Sequence, residues 1–243
     1  MRRADVTLVL SCEHGGNRIP ARYRYLFEGR SRVLQSHRGW DPGALALART
    51  IARATGAPLV ATTTSRLLVE CNRSVDHPRL FSEFTRDLDE DEKLRILADY
   101  YHPHRESVQR AVRNALRASR RVLHIGVHTF TPVFNEKRRT TDVGVLYDPR
   151  RALENGVACA LVGALQAAAP GLHVHRNLPY RGWTDGLTTT LRHAFPASRY
   201  AGIELEVSQA LVGTARWRTV QRSLASVIGQ VGEASPQRAK RTL

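Results

Sequence analysis

Residues 6–12, VTLVLSC, form a continuous apolar run that closes on a glycine-containing turn. A strand buried on both faces of a parallel sheet reads this way. Comparable runs follow in APLVATTT, SRLLVE, RVLHIGVH, DVGVLYDP, LHVHRN and RYAGIELEVSQ. Helical stretches separate most of them. Residues 41–55 open on Asp-Pro, where Asp can cap and Pro fits the first turn, and Gly56 closes the helix. Residues 88–121 open near an acidic stretch suited to the helix dipole, and Pro103 should kink or divide them. An alanine-rich helix is expected over 151–168 and an amphipathic one over 211–231, whereas 76–87 and 178–192 read as irregular or loop. Strands alternating with helices predict an α/β fold: a mostly parallel mixed sheet flanked by helices on both faces. Ligands in such folds bind at the carboxyl ends of the strands.

The chain has 243 residues, which suits one domain over 1–231 and a basic, disordered tail over 232–243. No apolar run reaches the roughly 20 residues that span a bilayer. The first residues run directly into a strand without a cleavage site, so the expectation is a cytoplasmic protein with no membrane partner. Cys12, Cys71 and Cys159 are odd in number, far apart and flanked by apolar residues, which fits buried reduced thiols. The net charge of +15 invites a nucleic-acid reading, because clustered arginine neutralises phosphates. Yet the arginines are scattered along the chain and carry no groove-reading motif, so no specific nucleic-acid partner is expected. Any such binding should be weak and salt-sensitive.

The residues suited to chemistry fall near strand ends. His14 follows the first strand and precedes two glycines, which let a backbone approach a ligand closely. Glu13 and His14 together offer metal-ligand chemistry. His124 and His128 lie four apart on one strand and so share a face, with His128 nearer the strand end and His124 the better core or supporting residue. Glu204 and Glu206 likewise share a face, opposite Ile203, Leu205 and Val207. Two carboxylates on an otherwise buried strand are costly unless paired or ligating, and one beside a metal can act as a general base. Arg66, Asn72 and Arg73 offer charge-assisted donors for a carboxylate. Asp41 reads as a helix cap, a metal ligand or the partner of one.

In chain order, SCEHGGNRIP, HRGWDPGA, SRLLVECNRS, HTFTPVFN, DVGVLYDP, NLPYRGW and GIELEVSQ resemble the N-formylglutamate amidohydrolase family, over residues 8 to about 209. The resemblance implies a fold similar to the zinc carboxypeptidases and one Zn²⁺ per chain. It implies that His14 and His128 are ligands, Asn72 and Arg73 grip a substrate carboxylate, and Glu206 is the general base. Where carboxypeptidases place a glutamate three residues beyond the first histidine, this chain has Asn17. Asp41, Glu13 and Asn17 are therefore the choices for a third ligand, and Asp41 is preferred because a carboxylate binds zinc better than an amide. Arg66 would stabilise the oxyanion. The implied substrate is an acidic N-acyl amino acid such as N-formylglutamate, and the oligomeric state is left open. The alternatives are a related metal amidase or carboxypeptidase on another acyl amino acid or small peptide, and a basic nucleic-acid-binding protein on an inactive hydrolase fold.

Overall fold

The computed structural model describes residues 4–233. Its centre is a six-stranded sheet built from β1 (Ala4–Cys12), β2 (Leu59–Ala61), β3 (Ser119–Phe130), β6 (Val143–Leu146), β7 (Val174–Arg176) and β8 (Tyr200–Ser208), in the order β2-β1-β3-β8-β6-β7. Strands β2, β1, β3 and β8 run parallel. Strand β6 pairs antiparallel with β8 and parallel with β7, so the sheet is mixed, as expected. A two-stranded hairpin, β4 (Val133–Phe134) and β5 (Lys137–Arg138), leaves the end of β3. Its turn residues Asn135 and Glu136 both have positive φ, the backbone that joins strands by a two-residue turn.

Helices α2 (Ala44–Thr55), α5 (Ala152–Ala168) and α7 (Trp217–Glu233) cover one face. Leu8, Leu10, Ile125, Ile203 and Leu205 pack under them. Helices α4 (His102–Ala118) and α6 (Leu187–Ala194) cover the other, over Val9, Val122 and Tyr200. Short helices α1 (Ser31–Gln35) and α3 (Glu90–Ile96) complete the chain. The period-two alternation of a strand sends Leu8 and Leu10 to one layer and Val9 to the other. The same alternation sends Ser11, Glu13, His124, His128, Glu204 and Glu206 to the α4–α6 side, so the polar residues share a face.

Four expectations needed correction. The SRLLVE stretch is a run of turns: Leu68 N donates to Ser65 O at 2.9 Å and Arg73 N to Glu70 O at 3.2 Å. Its apolar residues Leu67, Leu68 and Val69 bury into a satellite core with Phe27 and Tyr101, which a short apolar run does not distinguish from a strand. The expected 178–192 loop contains α6, whose first amide, Leu187 N, is capped by the Asn72 side chain at 2.7 Å. The cap comes from far along the chain, so the local sequence lacks it. Helix α2 starts at Ala44 with Gly43 at its N-cap, and Asp41 is no cap. Cys159 is exposed, unlike Cys12 and Cys71.

Pro103 sits in the first turn of α4, directly after a π-helical turn over Leu97–Tyr101 that divides the long helix. Helix α7 runs through Gly232 to Glu233, and the remainder of the expected disordered tail, 234–243, lies outside the described residues. No helix among the described residues is long and apolar enough to cross a membrane.

Candidate metal centre and catalytic cleft

The site forms where β1 and β3 end. His14 follows β1, and its carbonyl accepts from Asp41 N at 3.0 Å, which ties the segment before α2 to the strand end. His128 lies near the end of β3. Gly15 and Gly16 have a tighter job than the sequence suggested. A Cβ on them would lie 2.8 Å from Thr62 O and 2.7 Å from Thr63 O, so they admit the neighbouring chain and not a ligand.

His14, Asp41 and His128 are all buried and present a compact donor set. His14 Nδ1 is 3.2 Å from Asp41 Oδ2, His128 Nδ1 is 3.1 Å from the same oxygen, and the two Nδ1 atoms are 3.2 Å apart. A tetrahedral zinc with bonds of about 2.0–2.1 Å has ligand edges of about 3.3 Å, so this near-equilateral triangle is the size of one face of such a site. Two neutral imidazoles and a carboxylate are also an ordinary zinc donor set that leaves a position open.

The far nitrogens support the same reading. His14 Nε2 meets Glu70 Oε1. His128 Nε2 lies 3.1 Å from Glu13 Oε2, an ion-pair contact off the angle of a good hydrogen bond. Carboxylates behind ligating histidines hold the proton on the far nitrogen and turn the near one toward the metal. His104 Nε2 approaches the other Glu13 oxygen at 3.4 Å. Arg66 stands behind Glu70 and Asp41, with Nε to Glu70 Oε2 at 2.7 Å and Nη1 to Asp41 Oδ1 at 3.3 Å.

Electrostatics follow from this packing. Burial opposes the charge on Asp41, Glu13 and Glu70, yet His14, His104 and Arg66 respectively, with the other nearby cations, hold all three carboxyls well below their usual range. Burial also disfavours charge on His14 and His128, but the surrounding carboxylates outweigh it and raise both. His124 goes the other way. Burial pushes it down to about 4, and it bridges Ser11 Oγ and Tyr200 OH at 2.9 and 2.8 Å, as a core residue.

Glu206 differs from every other carboxylate here. It is buried, its Oε2 finds no hydrogen-bond partner among the described residues, and burial pushes its pKa up to about 8. Its neighbour across the β3–β8 ladder is His128. Glu204 points the same way but is occupied, accepting from Asn72 Nδ2 at 3.4 Å and Thr188 Oγ1 at 3.2 Å.

These groups line a cleft of about 400 Å³ that contains His14, Asp41, His128, Glu204, Glu206 and Arg66. Asn72 and Arg73 also line it. Asn72 ties α6 to Glu204, and Arg73 Nη1 donates to Asp185 O at 2.7 Å. Asn17 is outside the cleft lining, with its amide on Leu34 O at 3.1 Å. Glu13 stands behind His128. Sequence reading missed Glu70 and His104: the one signal for Glu70 was its spacing four residues after Arg66, and nothing local marked His104.

The sequence matches the N-formylglutamate amidohydrolase family over residues 6–212. A solved gene product of Agrobacterium tumefaciens is 31% identical, with a TM-score of 0.77 and coverage of 94% of this chain and 90% of that one. The N-formylglutamate amidohydrolase of Ralstonia eutropha JMP134 is 21% identical, with a TM-score of 0.69 and coverage of 93% of each chain, which speaks to a shared fold. No curated protein matches. The matched span takes in every cleft residue named above, and the chain belongs to the N-formylglutamate amidohydrolase family, which makes it an amidohydrolase.

Proposed function

We propose that this protein is a zinc-dependent enzyme that hydrolyses an acidic N-acyl amino acid such as N-formylglutamate. The observation that carries the reading is the buried His14–Asp41–His128 triangle, with the unpartnered carboxylate of Glu206 one strand away. A divalent metal held by those three residues would polarise an acyl carbonyl and lower the pKa of water toward about 7.

The remaining steps belong to the chain's own side chains. Glu206 Oε2 takes a proton from the attacking water as its oxygen bonds to the acyl carbon. The same carboxyl returns the proton to the amine nitrogen as the C–N bond breaks, releasing a carboxylic acid and an amino acid. Arg66, fixed on one side by Glu70 and Asp41, keeps further N–H donors for the developing oxyanion. Arg73 holds a substrate carboxylate at the rim. The closed positions of Glu13, Glu70 and His104 keep the histidine rings from turning.

Protein purified without added metal should carry one zinc per chain by elemental analysis and release formate from N-formylglutamate, with activity lost to a chelator and restored by zinc. Metal-free protein with full chelator-resistant turnover would end this reading. Arg73→Ala should raise KM about 10–100-fold, since a charge-assisted hydrogen bond is worth roughly 1.5–3 kcal/mol. Its zinc content should match the parent's. An unchanged KM would remove Arg73 from substrate binding.

A further inference from the structure

The cleft holds more positive charge than its own carboxylates engage. Of the arginines that line it, Arg66 is paired with Glu70 and Asp41, and Arg38 with Glu83. Arg73 and Arg79 differ. Arg73 Nη1 donates to a neutral group, the Asp185 carbonyl, at 2.7 Å, while Asp185 Oδ2 accepts from Ser74 N at 3.0 Å. The Arg79 guanidinium, also in the lining, makes no hydrogen bond or ion pair among the described residues. A guanidinium stays protonated in a protein, so two full charges stand in the cleft without a protein anion in ion-pair contact.

Their backbones are held although their charges are not. Residues 70–80 form a loop closed at its neck by Glu70 N on Leu80 O at 2.9 Å. The Glu70 carboxylate backs His14, and Leu80 is buried in the satellite core. The neck is therefore anchored to the metal site on one side and to apolar packing on the other. Arg73 leaves it first: its N donates to Glu70 O at 3.2 Å, and its carbonyl accepts from Tyr101 OH at 2.8 Å and Arg105 Nη1 at 3.0 Å. Arg79 returns to the neck beside Leu80, with its N on His77 Nδ1 at 3.1 Å. Arg73 is half-buried and Arg79 exposed, so Arg73 is the inner and Arg79 the outer member of the pair. Uncommitted guanidiniums on fixed backbone suit bidentate capture of carboxylates.

A substrate with two carboxylates meets two such groups in a fixed order. Its α-carboxylate shares a carbon with the scissile nitrogen, and so lies close to the His14–Asp41–His128 floor when the amide is over that floor. A side-chain carboxylate hangs further out on a flexible stem. We infer that Arg79 reads the side-chain carboxylate, with the α-carboxylate left to Arg73, and that Arg79 is the residue that sets the preference for an acidic over a neutral amino acid. This rests on the hydrolase reading above and adds a second anchor for its substrate.

The test compares kcat/KM of the zinc-loaded enzyme for N-formylglutamate and N-formylglutamine, which differ in charge and hardly in shape. The glutamate compound should be favoured about tenfold, between the few-fold of an exposed ion pair and the roughly hundredfold of a strong charge-assisted one. Raising the salt should narrow the ratio, because exposed charges are screened. Arg79→Ala should bring the ratio near one, and Arg79→Lys should keep part of it, since a point charge attracts without the bidentate fit. Arg73→Ala should raise KM for both compounds and leave the ratio standing. A parent without preference, a ratio that survives Arg79→Ala, or one that collapses in Arg73→Ala instead, overturns the inference and leaves the hydrolase reading intact. Should neither compound be hydrolysed, the hydrolase reading falls. Calorimetric binding of the two compounds to the same protein then decides Arg79 by itself: a preference for the glutamate compound that Arg79→Ala abolishes supports its role, and equal binding overturns it.

Discussion

Replacing Glu206 by Gln is expected to lower kcat about 10²–10⁴-fold, the usual contribution of general acid–base catalysis, while zinc stays bound. The same change should stabilise the metal-free protein. Burial pushes the Glu206 pKa up to about 8 from 4.5, so folding disfavours the ionised form. The destabilisation is full above pH 8, fades as pH falls, and is gone below about 4.5, where both folded and unfolded states hold the proton. Gln carries no charge to bury. Its gain should therefore be up to roughly 4–5 kcal/mol at pH 8 and above, and should vanish near pH 4. Denaturant unfolding at the two pH values, beside kcat and zinc content, reads all of this. Glu204→Gln should lose less rate, because Glu204 already pins Asn72 and Thr188. A dead Glu204→Gln beside a normal Glu206→Gln would reverse the roles.

Zinc affinity should fall in steps that follow the layers of the site. Asp41→Ala removes a donor from the triangle. Structural zinc sites bind with about 10–16 kcal/mol over four ligands, so one ligand is worth roughly 3 kcal/mol and its loss weakens binding more than a hundredfold. Glu13→Gln and Glu70→Gln keep shape but weaken the support behind His128 and His14, and each should lose about 10–100-fold. Asn17→Ala, bonded to Leu34 O, should change nothing. A competition titration against a chromogenic chelator measures all four variants. Full affinity in Asp41→Ala would remove it from the ligand set, and a hundredfold loss in Asn17→Ala would put that residue in its place.

What could be read in advance followed from periodicity and strand ends. Val9 between Leu8 and Leu10, and Glu204 and Glu206 between apolar neighbours, announce strands with two different faces. His14 and His128 stand where such strands stop, so the parallel core and two members of the triangle are legible in one dimension. Asp41 was one of three open choices, because its position depends on the backbone bond from its amide to His14 O, which no local pattern records. Glu70 and His104 were invisible for a related reason: each matters through a partner 56 and 91 residues away. The strand expected at SRLLVE failed because three consecutive apolar residues can bury in a turn as well as in a ladder. Helix α6 was missed because its cap, Asn72, lies 115 residues upstream.

The pairing of His128 with Glu206 across β3 and β8 also limits how this cleft can change over generations. The distance between the two is a rung of the backbone ladder and owes little to loop shape. A single inserted or deleted residue between His124 and His128, or between Glu204 and Glu206, would turn the affected side chain to the α2–α5–α7 layer. Such frameshifts of register are closed routes for variation. The hairpin turn at Asn135–Glu136 lies beyond the last rung. It can be lengthened or trimmed without disturbing the rung, so the mouth of the cleft can be edited while the floor stays fixed.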